Sequence, residues 1–381
     1  MAAKGARRAS LLAVAALLLG VCGCSDHPFT PKDGRPPRAT RPAAEAAVTA
    51  SPQGLRLRGA PWWPAGFNAP QLATNWSVNF GCGAQTDLDS YFGALPANSL
   101  TRFNLFQALA INKRTGAVDF SAADAVFNAA EKYGQIVLPV LSPQDGGCAD
   151  EQFKQRQWYV KGWTTVQPVD GRSVMSFRDW TTAAVDRWKS VPVLAGWELV
   201  GEPEPSNCTG SHCDLPARTC PPDAAAVLRT FMDDAGSIVR ELDPHRLIFA
   251  GYAGGGQCGT QGDEFRTVSA SPNVDVVEYH DYIRGSLPGD QWNGLGVRLR
   301  QAAELGKPLL VAEIGEEAGS CGSIQDRRGY LDAKFVAQRA AGSAGALIWA
   351  FVPDPRPDQC TFDVGPEDPL WSLVAQRTTV G

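Results

Sequence analysis

The stretch VPVLAGWELVGEPE at positions 191–204 decides the fold class, together with KPLLVAEIGEE at positions 307–317. Each contains a short, continuously apolar run that ends at Gly or Pro, the pattern of a buried parallel strand. Glu202 closes the first run and Glu313 closes the second. Because the carboxyl ends of barrel strands carry the active site, two glutamates there indicate paired-carboxylate chemistry.

Six further apolar runs share this pattern, which makes eight in all. The eight runs lie at 63–70, 99–106, 135–141, 193–202, 246–254, 274–282, 308–316 and 345–352. Amphipathic stretches separate them, and several begin on Ser or Asp, which are good helix N-caps. Strict alternation predicts one (β/α)8 TIM barrel. An open doubly wound sheet is the alternative, but no glycine-rich phosphate loop follows the first run.

Composition narrows the classes of partner. The chain has 381 residues, 44% of them hydrophobic and 20% charged, with a net charge of −5. A nucleic-acid partner would require a basic patch, so we expect none. Eleven tryptophans are many for this length, and some are expected to stack on sugar rings. No cofactor and no metal are expected, and we expect a monomer.

The amino terminus has the layout of a signal peptide, with basic residues before the apolar run LLAVAALLLGVCG at 11–23. That run ends in VCGC, which is similar to a bacterial lipoprotein cleavage box and predicts lipid attachment at Cys24. We therefore assign 1–23 as signal peptide, 24–51 as a disordered Pro/Ala-rich tether, and 52–381 as the barrel domain. The expected location is the cell envelope, outside the cytoplasm and lipid-anchored, or secreted if the box is not used.

Eight of the ten cysteines remain after the leader cysteine Cys22 and the anchor Cys24 are set aside. An even number in an exported chain predicts disulfides. All lie after a strand and before the next helix, which places them on the loop-bearing face. We expect Cys82–Cys148 and Cys321–Cys360, with two more bonds whose pairing stays open. Those two bonds join Cys208, Cys213, Cys220 and Cys258.

Polar and aromatic side chains at the strand ends form an ordered set: Arg102, Glu202, His280, Tyr282, Glu313 and Trp349. Together with AEKYGQIVLPVL at 130–141 and HDY at 280–282, this set resembles glycoside hydrolase family 5, most of all its mannanase-type members. The resemblance covers roughly residues 60 to 375. It implies a retaining glycosidase in which Glu202 is the acid/base and Glu313 the nucleophile.

The chemistry assigns roles to the neighbouring residues. Arg102 and Tyr282 are expected to keep Glu313 charged and aimed, and His280 to orient nearby groups or touch a sugar hydroxyl. Trp349 is expected to form the floor under the reacting sugar. Burial and the charge of Glu313 are expected to raise the pKa of Glu202, so that it acts as the acid.

Two departures from the family pattern bear on the substrate. Gly201 stands where the family has Asn, a residue that binds the 2-hydroxyl of the reacting sugar. No histidine follows the third strand, where the sequence reads LSPQDGG at 141–147. Trp158 and Trp163, in the long segment after that strand, are expected to contact an extended polysaccharide.

Taken together, these features predict an exported glycosidase that acts on a β-linked mannan or glucan. A non-catalytic glycan-binding protein on the same barrel is the alternative, motivated by Gly201. A barrel metal enzyme ranks last because the sequence has no His/Asp ligand cluster.

Overall fold

The computed structural model describes residues 44–148, 152–167, 174–209 and 213–381, in which eight parallel strands alternate with eight helices. The strands β1 to β8 are Ala65–Asn68, Leu100–Asn104, Ile136–Val140, Gly196–Glu198, Leu247–Phe249, Val277–Asp281, Leu309–Ile314 and Ala346–Ile348. The helices α1 to α8 are Leu88–Ala94, Ser121–Tyr133, Phe177–Trp188, Ala224–Leu242, Glu264–Ser269, Leu295–Glu304, Ile324–Ala340 and Leu370–Arg377. Each of the eight predicted apolar runs contains one of these strands.

The sheet closes on itself. Its order runs from β5 through β4, β3, β2, β1, β8 and β7 to β6. The two outer strands meet at a parallel bridge between Phe249 and Val276, where the amide of Ala250 donates to the Val276 carbonyl at 3.1 Å. The predicted (β/α)8 barrel is therefore confirmed, and the open-sheet alternative is wrong.

Local sequence signals explain where the helices start and stop. The hydroxyls of Ser176 and Ser323 accept hydrogen bonds from backbone amides three residues on, which caps α3 and α7. Helix α2 ends at Gly134, whose φ of +66° suits a residue without a Cβ. Strand β3 begins two residues later, at Ile136, and all five of its residues are buried. Short turns of this kind lead from a helix directly into the next parallel strand, so the carboxyl ends of the strands lie on the same face of the barrel.

An antiparallel sheet lies at the amino-terminal end of the barrel. It comprises Val48–Ser51, Gly54–Leu57, Ala60–Trp63 and Thr379–Val380. Its first strand overlaps the predicted tether, so the prediction of disorder up to residue 51 is wrong for positions 48–51. Leu57 of the second strand pairs with Val48 and both are buried, which orders this segment. The predicted signal peptide and Cys24 lie outside the described residues.

The loops after the strands carry the smaller elements. These are the helix Arg156–Val160, the 3₁₀ turns Gln107–Ala110, Gly162–Thr164 and Leu215–Ala217, and two hairpins that pair Asn207–Cys208 with Arg218–Thr219 and Ala318–Gly319 with Cys360–Thr361. In the part of the chain that the structure describes, no helix has the length and apolarity needed to cross a bilayer.

Four disulfides cross-link these loops, with Cα–Cα distances of 4.7 to 5.3 Å. The bonds are Cys82–Cys148, Cys208–Cys213, Cys220–Cys258 and Cys321–Cys360. Both predicted pairs are confirmed, and the structure decides the pairing that the sequence left open. All eight cysteines lie between a strand and its following helix, as predicted.

Candidate active site

The mouth of the barrel collects the predicted residues at the carboxyl ends of its strands. Arg102 lies on β2, and His280 and Glu313 lie on β6 and β7. The register pairs His280 directly with Glu313, after a shift at Tyr279. Glu202, Tyr282 and Trp349 lie in the loops that follow β4, β6 and β8. The ends of these five strands thus bring residues from distant parts of the chain into one cluster.

Arg102 is the buried hub of this cluster. Its Nε and Nη2 atoms each lie 2.7 Å from an oxygen of Glu198, and its Nη1 lies 2.7 Å from Glu313 Oε1. The same Nη1 donates to Asn68 Oδ1 at 2.8 Å. Burial disfavours the guanidinium charge, but the carboxylates of Glu198 and Glu313 outweigh burial and raise the pKa of Arg102. The arginine thus stays charged and fixes Glu313.

Glu313 is held from both sides. Tyr282 donates its hydroxyl to Glu313 Oε2 at 2.5 Å, opposite the oxygen that Arg102 binds. His280 Nδ1 lies 3.3 Å from the same Oε2. Only 6% of Glu313 is exposed. Two donors on different oxygens fix the plane of the carboxylate.

Glu202 pairs with His280, whose Nδ1 lies 2.7 Å from Glu202 Oε1. Half of the Glu202 side chain is exposed, whereas the His280 side chain is buried. Burial works against the imidazolium, but the charges of Glu313 and Glu202 outweigh it and raise the pKa of His280 above its ordinary value.

The same contact lowers the pKa of Glu202. Desolvation of its carboxyl group favours the neutral form, but the hydrogen bond and charge of His280, with the charge of Arg102, outweigh desolvation. The sequence-based prediction of a raised Glu202 pKa is therefore wrong for the free protein. The proton expected on Glu202 lies on His280 instead.

The backbone at Glu202 is in the left-handed region, with φ of +58°. Its amide donates to the Gly251 carbonyl at 2.7 Å. Gly251 also has a left-handed φ, of +72°, and a Cβ there would lie 2.0 Å from the Val200 carbonyl oxygen. A residue without a side chain is required at 251, and its close approach fixes the turn that presents Glu202.

Gly201 lies directly over the arginine. A Cβ at this position would lie 3.2 Å from Arg102 Nη2 and 3.6 Å from Glu198 Oε1. Gly201 offers no side chain to a sugar hydroxyl, but its amide donates to the Ser142 carbonyl at 2.9 Å. The predicted substrate contact at this position therefore reduces to backbone atoms.

Comparisons with known proteins bear on this barrel. No family model matches the chain. Among curated proteins it is similar to mannan endo-1,4-beta-mannosidase F of Aspergillus clavatus, at 24% identity over 230 residues, 55% of this chain and 47% of that protein. It is also similar to the probable mannan endo-1,4-beta-mannosidase F of Aspergillus flavus, at 26% identity over 254 residues, 62% of this chain and 49% of that protein. The chain spans about half the length of these curated relatives.

Solved structures extend the likeness over most of the chain. The endo-1,4-beta-mannanase of Rhizomucor miehei aligns with a TM-score of 0.60 at 16% identity, covering 87% of this chain and 98% of that one. A glycoside hydrolase family 5 mannosidase of the same organism aligns with a TM-score of 0.58 at 14% identity, covering 88% and 96%. The chain shares the (β/α)8 barrel fold of these solved structures. At such identities the likeness concerns the fold alone.

The three predicted aromatic contacts differ in accessibility. Trp349 is partly exposed beside the cluster, and its amide donates to the Ile314 carbonyl at 2.9 Å. Trp158 is partly buried between Phe177 and Phe231. Trp163 is only 6% exposed and contacts Phe231 edge-on. Trp163 therefore packs the loop after β3, and its contact with a glycan stays a prediction.

Three residues at this site carry signals that the sequence-based predictions did not use. Asn68 is the last residue of β1 and binds Arg102, which a polar residue at a strand end could have indicated. Glu198, within the fourth predicted run, is fully buried as the main partner of Arg102. Glu278 on β6 is also fully buried, and burial followed by the charge of Glu198 raises its pKa.

The donor set could also be considered for a cation. Three possible ligand atoms, one each from Glu202, His280 and Glu313, lie within 4.8 Å of one another. The guanidinium of Arg102, 2.7 Å from Glu313, opposes a second positive charge there. The positive charge of Arg102 therefore makes this site less favourable for a metal ion than for a proton beside an anionic carboxylate.

Proposed function

We propose that this protein is a retaining glycoside hydrolase that cleaves a β-linked mannan by double displacement, with Glu313 as nucleophile and Glu202 as acid/base. One observation carries the proposal: an oxygen of Glu202 lies within 4.8 Å of an oxygen of Glu313. Retaining enzymes place their two carboxyl groups about 5–5.5 Å apart, whereas inverting enzymes need about 6.5–9.5 Å. The short gap leaves no room for the water that an inverting enzyme places between its general base and the anomeric carbon.

The first half-reaction follows from the donors around each carboxylate. Glu313, ionised and fixed by Arg102 and Tyr282, attacks the anomeric carbon and forms a glycosyl ester. The bond to the leaving sugar breaks as Glu202 protonates its oxygen. His280 supplies that proton, because its Nδ1 lies 2.7 Å from Glu202 Oε1.

In the second half-reaction the ionised Glu202 removes a proton from water. The resulting hydroxide displaces Glu313 from the anomeric carbon and restores the free carboxylate. The configuration is retained because two inversions occur. The polysaccharide named in both curated relatives supports mannan as the substrate class.

The test is a pair of variants measured on mannan and on aryl mannosides with good leaving groups. Glu313→Ala should abolish turnover on every substrate, and azide should restore it with inverted product. Glu202→Ala should still form the intermediate from activated aryl mannosides, and azide should release it with retained configuration. Glu317→Gln, an exposed acid on the loop after β7, is the matched control and should be silent.

Two results would reject the proposal. Near wild-type turnover in both glutamate variants would remove them as the catalytic pair. Mannan binding without turnover in the wild type would favour the alternative, a non-catalytic glycan-binding protein, for which Gly201 is the motivating feature.

We further propose that the chain is exported and lipid-anchored at Cys24. Four disulfides on the described loops support an oxidising compartment. Cys24→Ala should release the protein from the membrane fraction or leave its leader uncleaved. Mature Cys24→Ala protein that still fractionates with membranes would contradict the anchor.

A further inference from the structure

A cavity of about 510 Å³ opens between the loop after β2 and the loop after β3. This volume lies within the roughly 300–1,000 Å³ typical of small-molecule sites. Its floor is apolar, formed by side chains that are all less than 9% exposed, among them Phe106, Ile111, Met175 and Phe177. An apolar floor of this size suits the C–H face of a single ring.

The rim of the cavity is polar and consists largely of side-chain amides. Gln152, Gln157, Gln167 and Asn207 line it and are exposed. Gln167 donates to Thr165 Oγ1 at 2.8 Å. Within the described part of the chain, the side chains of Gln152 and Gln157 make no hydrogen bond. Each amide offers both a donor and an acceptor without charge, which matches the hydroxyls at the edge of a neutral sugar.

Charged groups contribute less to this rim. The ammonium group of Lys154 is buried and lies 5.4 Å from the centre of the Trp158 ring, so it faces an aromatic partner. Lys161 also lines the cavity and is the one exposed charged side chain among the described lining residues. No carboxylate lines the cavity among the described residues. A neutral ligand therefore fits the lining better than an ionic one.

The cavity shares backbone with the loop that carries Glu202. Ser142 lines the cavity, and its carbonyl accepts the Gly201 amide at 2.9 Å. Pro143, also in the lining, forms a parallel bridge with Gly201. The cavity wall therefore touches the residue next to Glu202, which makes another unit of a glycan bound at Glu202 the natural occupant.

We propose that this cavity binds one neutral pyranose unit of the glycan substrate, separate from the units held over Glu202 and Glu313. The inference rests on the proposed function for the identity of the glycan. The unit is either a distant member of the main chain or a single-sugar branch, and both present the same chemistry to the amide rim.

The double variant Gln152→Ala/Gln157→Ala tests this site, because both side chains are exposed and their removal leaves the floor intact. Gln261→Ala, an exposed amide on the loop after β5, is the matched control. Specificity constants are measured on an aryl mannoside, on unbranched mannan and on mannan with single-sugar branches. The double variant should match wild type on the aryl mannoside and lose about tenfold on polymer, the equivalent of one or two neutral hydrogen bonds.

The pattern of loss identifies the occupant. A loss on both polymers assigns a main-chain unit, and a loss on the branched polymer alone assigns a branch. Unchanged constants on both polymers would overturn the inference, as would an equal loss with Gln261→Ala. If the wild type hydrolyses nothing, the proposed function fails. Calorimetric titration of the wild type and the double variant with mannohexaose then tests the cavity separately. Equal affinity of the two proteins would overturn the sugar-binding cavity, and about tenfold weaker binding by the double variant would support it.

Discussion

His280 Nδ1 lies 2.7 Å from Glu202 Oε1, and this contact gives the two residues opposite pKa shifts. The pKa of the histidine is raised and that of the glutamate is lowered, so the pair holds one proton on the imidazole. Because the two groups titrate together, the loss of this proton belongs to the pair rather than to either residue.

The first prediction concerns the pH profile of kcat/KM. In the wild type, the basic limb should follow loss of the proton that His280 holds, above the ordinary histidine pKa of 6.5. In His280→Asn, Glu202 alone must hold the proton, and the basic limb should move to lower pH. The profile is measured on an aryl mannoside from pH 4 to 9. An unmoved basic limb would show that His280 is not the proton store.

The second prediction concerns Arg102, which binds Glu198 with two nitrogens and Glu313 with one. A lysine has one ammonium group and cannot serve both carboxylates in these directions. Arg102→Lys should lower kcat by about 100-fold or more and cost about 3–5 kcal/mol of unfolding free energy, because the buried Glu198 carboxylate loses its two hydrogen bonds from the guanidinium. Denaturant unfolding and steady-state kinetics measure the two effects.

Glu198→Gln serves as the companion variant for Arg102. It removes the buried charge while keeping hydrogen-bonding atoms, so Arg102→Lys/Glu198→Gln should be less destabilised than the sum of the single variants. Strictly additive unfolding free energies would contradict the coupling of these residues.

The third prediction concerns Glu278, which acts on Glu202 through Gly251. Its carboxyl accepts the Gly251 amide, and the Gly251 carbonyl accepts the Glu202 amide at 2.7 Å. Because burial raises the Glu278 pKa, glutamine is a fair mimic of its neutral form. Glu278→Gln should keep near wild-type kcat, whereas Glu278→Ala leaves the Gly251 amide unpaired, should lower kcat, and should cost about 1–3 kcal/mol of stability.

The pH dependence of stability gives a separate readout for Glu278. A carboxyl whose folded pKa is raised contributes stability below its unfolded pKa and loses that contribution as pH rises through the folded pKa. Wild type should therefore lose stability relative to Glu278→Gln as pH rises above about 4.5. Parallel stability curves for the two proteins from pH 4 to 8 would refute the buried neutral carboxyl.

The fourth prediction ranks two disulfides. Cys321 and Cys360 are 39 residues apart in sequence, and Cys208 and Cys213 are 5 apart. In the chain-entropy model the longer loop stabilises by about 4 kcal/mol and the shorter by about 2 kcal/mol. Paired Cys→Ser variants should lower the melting temperature in that order, and kcat on aryl mannosides should change little because the barrel core is untouched. The reverse order of melting temperatures would contradict the model here.

The sequence predicted the architecture well because the barrel is a repeated local pattern. Each run, such as 135–141, is buried on both faces, and caps such as Ser176 and Gly134 mark helix ends within a few residues. The two long-range disulfides Cys82–Cys148 and Cys321–Cys360 were expected among cysteines that the same ordering places on one face of the barrel.

Other features depended on contacts that no local pattern contains. The lowered pKa of Glu202 needs His280, which is 78 positions away and meets it only through the closed barrel. Trp163 looked like a loop aromatic, but its burial against Phe231 depends on how the loop after β3 folds back over α4. The strand Val48–Ser51 forms because Gly54–Leu57 pairs with it, and the Ala-rich sequence before the strand did not suggest this pairing.

By itself, then, the sequence determined the (β/α)8 barrel, the strand-end positions of Arg102, Glu202, His280 and Glu313, and the face that carries the cysteines. These follow from burial, capping and chain order, which act over a few residues. The tertiary structure alone decided which atoms share a proton, which carboxylates Arg102 binds, and where the cavity beside Gly201 opens. Those depend on distances of a few ångströms between segments remote in sequence, where Coulomb energy and desolvation change steeply.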